Sequence, residues 1–186
     1  MASKISMSVE EYLQTSFKDG DRDYVDGEVS ERKVPELKSS VTIGYLVARL
    51  MNYTDRAGTS WIPRLDAIPA VRLRINPQRY RVIDLGVWTD VEPSWGYAMR
   101  QGARVADRPP LLAVEVLGST AQFTRGLLLV SEYLATGVET VWAIDPVDRC
   151  AIQFNSEHPE GKIVDVLRTA NPKIKIPLAY VLPMFA

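Results

Sequence analysis

The chain has one cysteine, Cys150, among its 186 residues, which excludes an internal disulfide framework. It also has one histidine, His158, set in the turn-forming run Glu157-His158-Pro159-Glu160-Gly161 with no second His or Cys close by in sequence. A zinc site needs several such ligands, so none is expected there, and Cys150 has no evident histidine partner for nucleophilic catalysis. No stretch has the ~20 consecutive apolar residues of a membrane span or the apolar core of a signal peptide. A cytoplasmic protein that does not enter membranes is therefore expected. An excess of charge of one sign is missing too. With 22 basic and 23 acidic residues the net charge is -1 and the isoelectric point about 5.9. Bulk electrostatics cannot make the molecule a nucleic-acid coat, and any such contact has to be local. Internal repeats, low-complexity segments and linker-like stretches are absent. Residues 1–186 read as a single domain, long enough to bury about 70% of its unfolded surface.

The local signals order the chain. Ser8-Val9-Glu10-Glu11 forms a capping box that starts a helix running to about Phe17. Asp26-Gly27, between Asp23-Tyr24-Val25 and Glu28-Val29-Ser30-Glu31-Arg32, predicts a tight hairpin. Apolar residues at helical spacing from about Glu36 to Ala57 predict a long amphipathic helix with Gly58 as its stop. Strands are expected at about Thr59 to Ile62 and Ala67 to Ile75, then a turn at Pro77-Gln78. Asp90 to Pro110, broken by Pro93, Gly96, Gly102, Pro109 and Pro110, reads as a loop. Ser119 or Thr120 starts another helix that Gly137 ends. Strands follow at about Val138 to Ile144, Arg149 to Phe154 and Lys162 to Arg168. Helices alternating with strands in this order imply an α/β fold with a mixed sheet.

Two of the predicted strands carry an acid inside an apolar run: Val82-Ile83-Asp84-Leu85-Gly86-Val87-Trp88 and Leu111-Leu112-Ala113-Val114-Glu115-Val116-Leu117. Continuous apolar runs of this length suit strands covered on both faces, and an unpartnered ionised acid there costs several kcal/mol. A cation shared between Asp84 and Glu115, or a polar cleft between them, resolves that cost. Magnesium takes oxygen ligands and keeps several waters, so Asp84, Glu115 and the Val116 carbonyl make a sufficient set. Such an ion activates a water and neutralises charge on a leaving phosphate oxygen, which points to hydrolysis of nucleic acid. Spacing alone equally allows Asp84 to cap a strand edge while Glu115 pairs with an arginine.

At these residues the chain resembles the Uma-two restriction endonuclease family, a branch of the PD-(D/E)xK nuclease superfamily. The resemblance rests on Ser8-Val9-Glu10-Glu11-Tyr12-Leu13, Tyr24-Val25-Asp26-Gly27-Glu28, Tyr80-Arg81-Val82-Ile83-Asp84 and Val114-Glu115-Val116-Leu117-Gly118-Ser119-Thr120. It continues through Glu132-Tyr133-Leu134-Ala135-Thr136-Gly137-Val138 and Val141-Trp142-Ala143-Ile144-Asp145-Pro146, and so spans most of the chain. It implies a restriction-endonuclease-like core with a mixed β-sheet flanked by helices. It also implies a Mg2+-dependent (or Mn2+-dependent) DNA endonuclease in which Asp84 and Glu115 bind metal and Glu28 reaches it through water.

The departures from the family are as informative. Ile83 stands where the family has proline, and Leu117 stands where it has lysine. Leu129 aligns with the helix position to which that lysine has usually migrated, Arg125 with an aspartate one turn earlier, and the usual histidine falls near Lys38 or Ser39. The catalytic lysine is thus lost. A cation beside the metal is typically worth ~10²-fold in rate. Arg125, four residues before Leu129 on one helix face, is the candidate replacement, its other reading being a solvated or salt-bridged helix residue. Trp95, Tyr97, Arg100, Arg104 and Arg108 in the irregular loop suit either a DNA contact or packing against a second subunit of a homodimer. Trp142 and Tyr133 read as core. Two function classes follow: a Mg2+-dependent DNA endonuclease, or a degenerate nuclease fold retained as a nucleic-acid-binding or protein-interaction module.

Overall fold

A computed structural model describes residues 5–18, 20–32, 36–53, 64–89, 105–118 and 120–184, and the side chains from 126 onward in the last of these segments. The chain opens with a short strand β1 (Ile5–Ser6) and helix α1 (Val9–Gln14). Ser8 caps α1 by the expected box: its Oγ accepts from the Glu11 amide at 3.2 Å, and Glu11 Oε2 accepts from the Ser8 amide at 2.9 Å. Strands β2 (Asp23–Val25) and β3 (Glu28–Ser30) form the predicted hairpin. Its two turn residues, Asp26 and Gly27, have φ of 50° and 92°, the positive values that an Asp-Gly turn supplies.

Helix α2 spans Leu37–Met51 and ends at Asn52, earlier than the expected stop at Gly58. Gly58 and the strand expected at Thr59 to Ile62 lie outside the described residues. Strands β4 (Leu65–Asn76) and β5 (Arg79–Thr89) form a long antiparallel hairpin. Its turn is held by Asn76 Oδ1, which accepts from the Gln78 amide at 2.9 Å. The stretch read as loop contains a strand, β6 (Val105–Ala106), parallel to β4. Two residues with one ladder partner leave no periodicity to read in sequence. Strand β7 (Leu112–Val116), helix α3 (Thr120–Ala135) and strands β8 (Thr140–Asp145) and β9 (Cys150–Asn155) follow. Gly137, at φ 99°, ends α3 as expected: the Val138 amide bonds back to the Tyr133 carbonyl at 3.1 Å, a Schellman closure. The strand expected from Lys162 to Arg168 is split. Strand β10 (Lys162–Ile163) extends the large sheet, whereas β11 (Val166–Arg168) pairs with β12 (Lys175–Pro177) in a small second one.

The large sheet runs β1-β3-β2-β5-β7-β8-β9-β10, with β4 on the other edge of β5 and β6 beyond it. Among the described residues the parallel ladders are β7 with β8, bridged by α3, and β4 with β6. Leu46 and Leu50 of α2 pack with Leu85, Val87, Leu112 and Val114 in one core cluster. Leu129, Val130 and Tyr133 of α3 pack with Ala113, Leu117 and Trp88 in the other. In β7 alternate residues enter opposite clusters, as the period-2 pleat requires, and β5 sends Leu85 and Val87 into one cluster and Ile83 and Trp88 into the other, so both strands are covered on both faces. No described helix is long and apolar enough to cross a membrane.

Candidate functional site

The site lies in a fork of the sheet. Strands β2 and β7 pair with the same edge of β5 but at different places: Tyr24 and Val25 oppose Tyr80 and Arg79, whereas Val114, Ala113 and Leu112 oppose Leu85, Gly86 and Val87. Between the two ladders, residues 81–84 of β5 face no strand on that edge among the described residues. Buried backbone groups there still need partners, and side chains supply them. The Val82 amide donates to Asp23 Oδ1 at 2.9 Å, and the Val82 carbonyl accepts from Arg32 Nη1. Asp84 Oδ2 accepts from the Val116 amide at 2.7 Å, tying β5 to β7 where their ladder has ended.

The antiparallel register leads from Leu85 opposite Val114 one step further, to Asp84 and Glu115, and opposite residues point to the same face. One nitrogen sits between the two acids. Arg32 Nη2 is 2.9 Å from Asp84 Oδ1 and 3.2 Å from Glu115 Oε2. The second oxygen of each carboxylate is engaged elsewhere, Asp84 Oδ2 by the Val116 amide and Glu115 Oε1 by the Tyr133 hydroxyl at 2.6 Å. Glu115 is nearly sealed, its side chain 3% exposed, while Asp84 is 14% and Arg32 22% exposed.

Burial dominates the electrostatics. It pushes the Glu115 carboxyl up to about 8, the neighbouring Asp84 charge adds to that, and Arg32 and the Tyr133 hydroxyl pull it back only in part. Burial alone would lower Arg32, but the facing Glu115 and Asp84 more than offset it and hold the guanidinium above its ordinary value. Burial also raises the Tyr133 hydroxyl, and the Glu115 charge beside it raises it further. Tyr133 therefore stays a donor to Glu115 at neutral pH.

A second charge network adjoins the first. Buried Asp23 pairs with Arg81 at 3.3 Å; Arg81 pairs with Glu132 of α3 at 2.7 Å; and Arg79 joins Glu132 at 3.1 Å to Asp26 at 2.8 Å. It anchors α3 over the fork.

Of the residues predicted from sequence, Asp84 and Glu115 converge. Val116 meets the site through its N–H, which donates to Asp84. Glu28 is exposed at the start of β3, opposite Val25 and Ser6. Arg125 belongs to α3, but its side chain lies outside the described residues. Leu117 and Leu129, the positions at which the resemblance implied a lysine, are both buried in the apolar cluster beneath α3. Trp95, Tyr97, Arg100 and Arg104 lie outside the described residues, while the Arg108 carbonyl accepts from the Trp88 indole at 3.2 Å. His158 is exposed beside Glu160, Trp142 is core as expected, and Tyr133 is core and site at once.

Sequence reasoning missed Arg32 and Asp23. Asp23 carried a signal, an acid directly before the apolar Tyr24-Val25 of a hairpin strand. Arg32 carried none, being 52 residues from Asp84 and 83 from Glu115.

The donors fit a hard divalent cation. Both candidate groups are carboxylates, and magnesium needs no more than one or two of them beside its waters. Among the described residues no group of three or more His, Cys, Asp or Glu side chains is placed to hold a metal by itself.

The chain is thus an α/β protein with a mixed sheet flanked by helices and a carboxylate pair at its fork. It is similar to the crystal structure of a putative nuclease belonging to DUF820 from Anabaena variabilis, with a TM-score of 0.69 and 16% identity over 94% of this chain and 97% of that one. The chain belongs to the Uma2 family, described as "Putative restriction endonuclease", whose model matches residues 9–178. No curated protein matches it.

Proposed function

We propose that the protein hydrolyses phosphodiester bonds of DNA with a Mg2+ ion held by Asp84 and Glu115. One observation carries this reading: the two oxygens left free by the Val116 amide and the Tyr133 hydroxyl, Asp84 Oδ1 and Glu115 Oε2, meet at a single position already taken by positive charge. When bound, such an ion lowers the pKa of a coordinated water and neutralises charge on the phosphate oxygens. The chain's own part is to hold the carboxylates at fixed orientation. Tyr133 and the Val116 amide do so, since outer partners that fix ligand orientation typically change affinity or activity 10–100-fold (about 1.4–2.7 kcal/mol).

Plasmid DNA incubated with Mg2+ or Mn2+ tests the reading. Wild type should nick it, and Asp84→Ala and Glu115→Ala should not. Equal cleavage by all three would place the chemistry elsewhere. The second reading, a degenerate nuclease fold that binds nucleic acid or protein without cutting, is favoured by buried Leu117 and Leu129. It predicts metal-independent DNA retention in a gel-shift assay with no nicking.

A further inference from the structure

We propose that Arg32 is a resident cation of the Asp84–Glu115 pair, so that a divalent ion enters only by displacing its guanidinium and Arg32 sets the metal affinity of the site. The inference rests on the reading of that pair as a divalent-cation site and concerns the residue that competes for it.

Three observations support exclusion. First, the overlap is direct. Arg32 Nη2 takes the one free oxygen of each carboxylate, at 2.9 and 3.2 Å. An ion that both oxygens ligate at ~2.1 Å has to occupy the space between them, and two cations do not share it.

Second, Arg32 has its own anchor. Nη1 donates to the Val82 carbonyl, a backbone acceptor in the gap between the β2 and β7 ladders. The guanidinium is thereby oriented toward the acids independently of them. Its rigid fork suits this double engagement, which a lysine ammonium on a flexible stem reproduces poorly.

Third, the charge balance makes the exchange possible. A divalent ion brings the charge to match both carboxylates in their ionised forms, which the single charge of Arg32 does not. The guanidinium has somewhere to go, since its side chain is already 22% exposed and arginine is weakly hydrated and tolerant of a half-exposed position.

The site is therefore closed by its own side chain at low metal and opened by mass action. This distinguishes it from a site in which Arg32 assists a metal already bound, because there removing Arg32 weakens the metal.

Calorimetric titration with Mn2+ alone, with no nucleic acid, tests the proposal on wild type, Arg32→Met and Arg32→Gln. Gln keeps a donor for the Val82 carbonyl and covers the case in which Met does not fold. The expected result is Mn2+ binding at least ten-fold tighter in the variants, together with a larger rise in melting temperature on adding Mn2+. Equal or weaker binding in a folded variant overturns the role of Arg32 and leaves the metal site standing. Absence of binding in wild type and folded variant alike overturns both. A crystal structure of wild type grown with Mn2+ gives an independent check. Arg32 turned away from both carboxylates, with the ion in its place, supports displacement. An ion bound with Nη2 still between Asp84 and Glu115 overturns it.

Discussion

The Tyr133 hydroxyl donates to Glu115 Oε1 across 2.6 Å, joining the last turn of α3 to the acid on β7 inside a region closed to water. Tyr133→Phe keeps the ring and removes only that donor. An unsatisfied buried acceptor costs about 1–3 kcal/mol, so urea denaturation should give an unfolding free energy lowered by that amount and a lower midpoint. A midpoint equal to wild type would mean that the hydroxyl does not hold Glu115.

Glu115 should make stability depend on pH in a definite direction. Its folded-state pKa, about 8, lies above the ordinary 4.5, so between those values the native state binds more protons than the unfolded chain. Stability from this group is complete at acid pH and is lost as pH rises toward 8. Wild type should lose stability relative to Glu115→Gln across roughly pH 5 to 8 in the absence of metal. Parallel curves for the two proteins would count against a raised Glu115.

Asp23 holds the Val82 amide and pairs with Arg81 while itself 1% exposed. Removing one partner of a buried pair costs about 3–5 kcal/mol. Asp23→Ala should lose that much in chemical denaturation, and Asp23→Asn less, since its amide oxygen still accepts from Val82. Equal losses would assign the effect to charge rather than to the Val82 hydrogen bond.

Gly86, two residues beyond Asp84 in β5, has no room for a side chain. A Cβ there would come within 2.4 Å of the Trp88 ring and 2.8 Å of Ile83. Overpacking a closed core costs about 1–3 kcal/mol. Gly86→Ala should lower the melting temperature, and an unchanged value would show that Trp88 can move aside.

Leu129 is the α3 position at which the family resemblance implies a lysine, and it is 6% exposed. Leu129→Lys should raise Mg2+-dependent nicking of plasmid DNA by ~10-fold or more, the scale of a cation acting on developing phosphate charge, at some cost in stability. Unchanged nicking in a folded variant would argue that the missing lysine does not limit the reaction.

The sequence made the local architecture legible wherever the cause was local. Ser8 and Glu11 cap α1, Asp26-Gly27 turns the first hairpin, and Gly137 ends α3, because each depends on residues within one turn of chain. The end of α2 at Met51 and the two-residue β6 were not legible, since long-range packing and pairing decide them.

For the site the division is sharper. The apolar runs around Asp84 and Glu115 required two covered strands, and an ionised acid in such a strand is costly without a partner, so the sequence by itself pointed to a partnered pair. It left open whether that partner is a metal or an arginine. Only the tertiary structure decided that β2 and β7 part along β5, that Asp23 and Arg32 fill the opening, and that the guanidinium meets both acids. Those contacts join residues 50 to 83 positions apart, and no local periodicity encodes a charge that acts across space at the fork of a sheet.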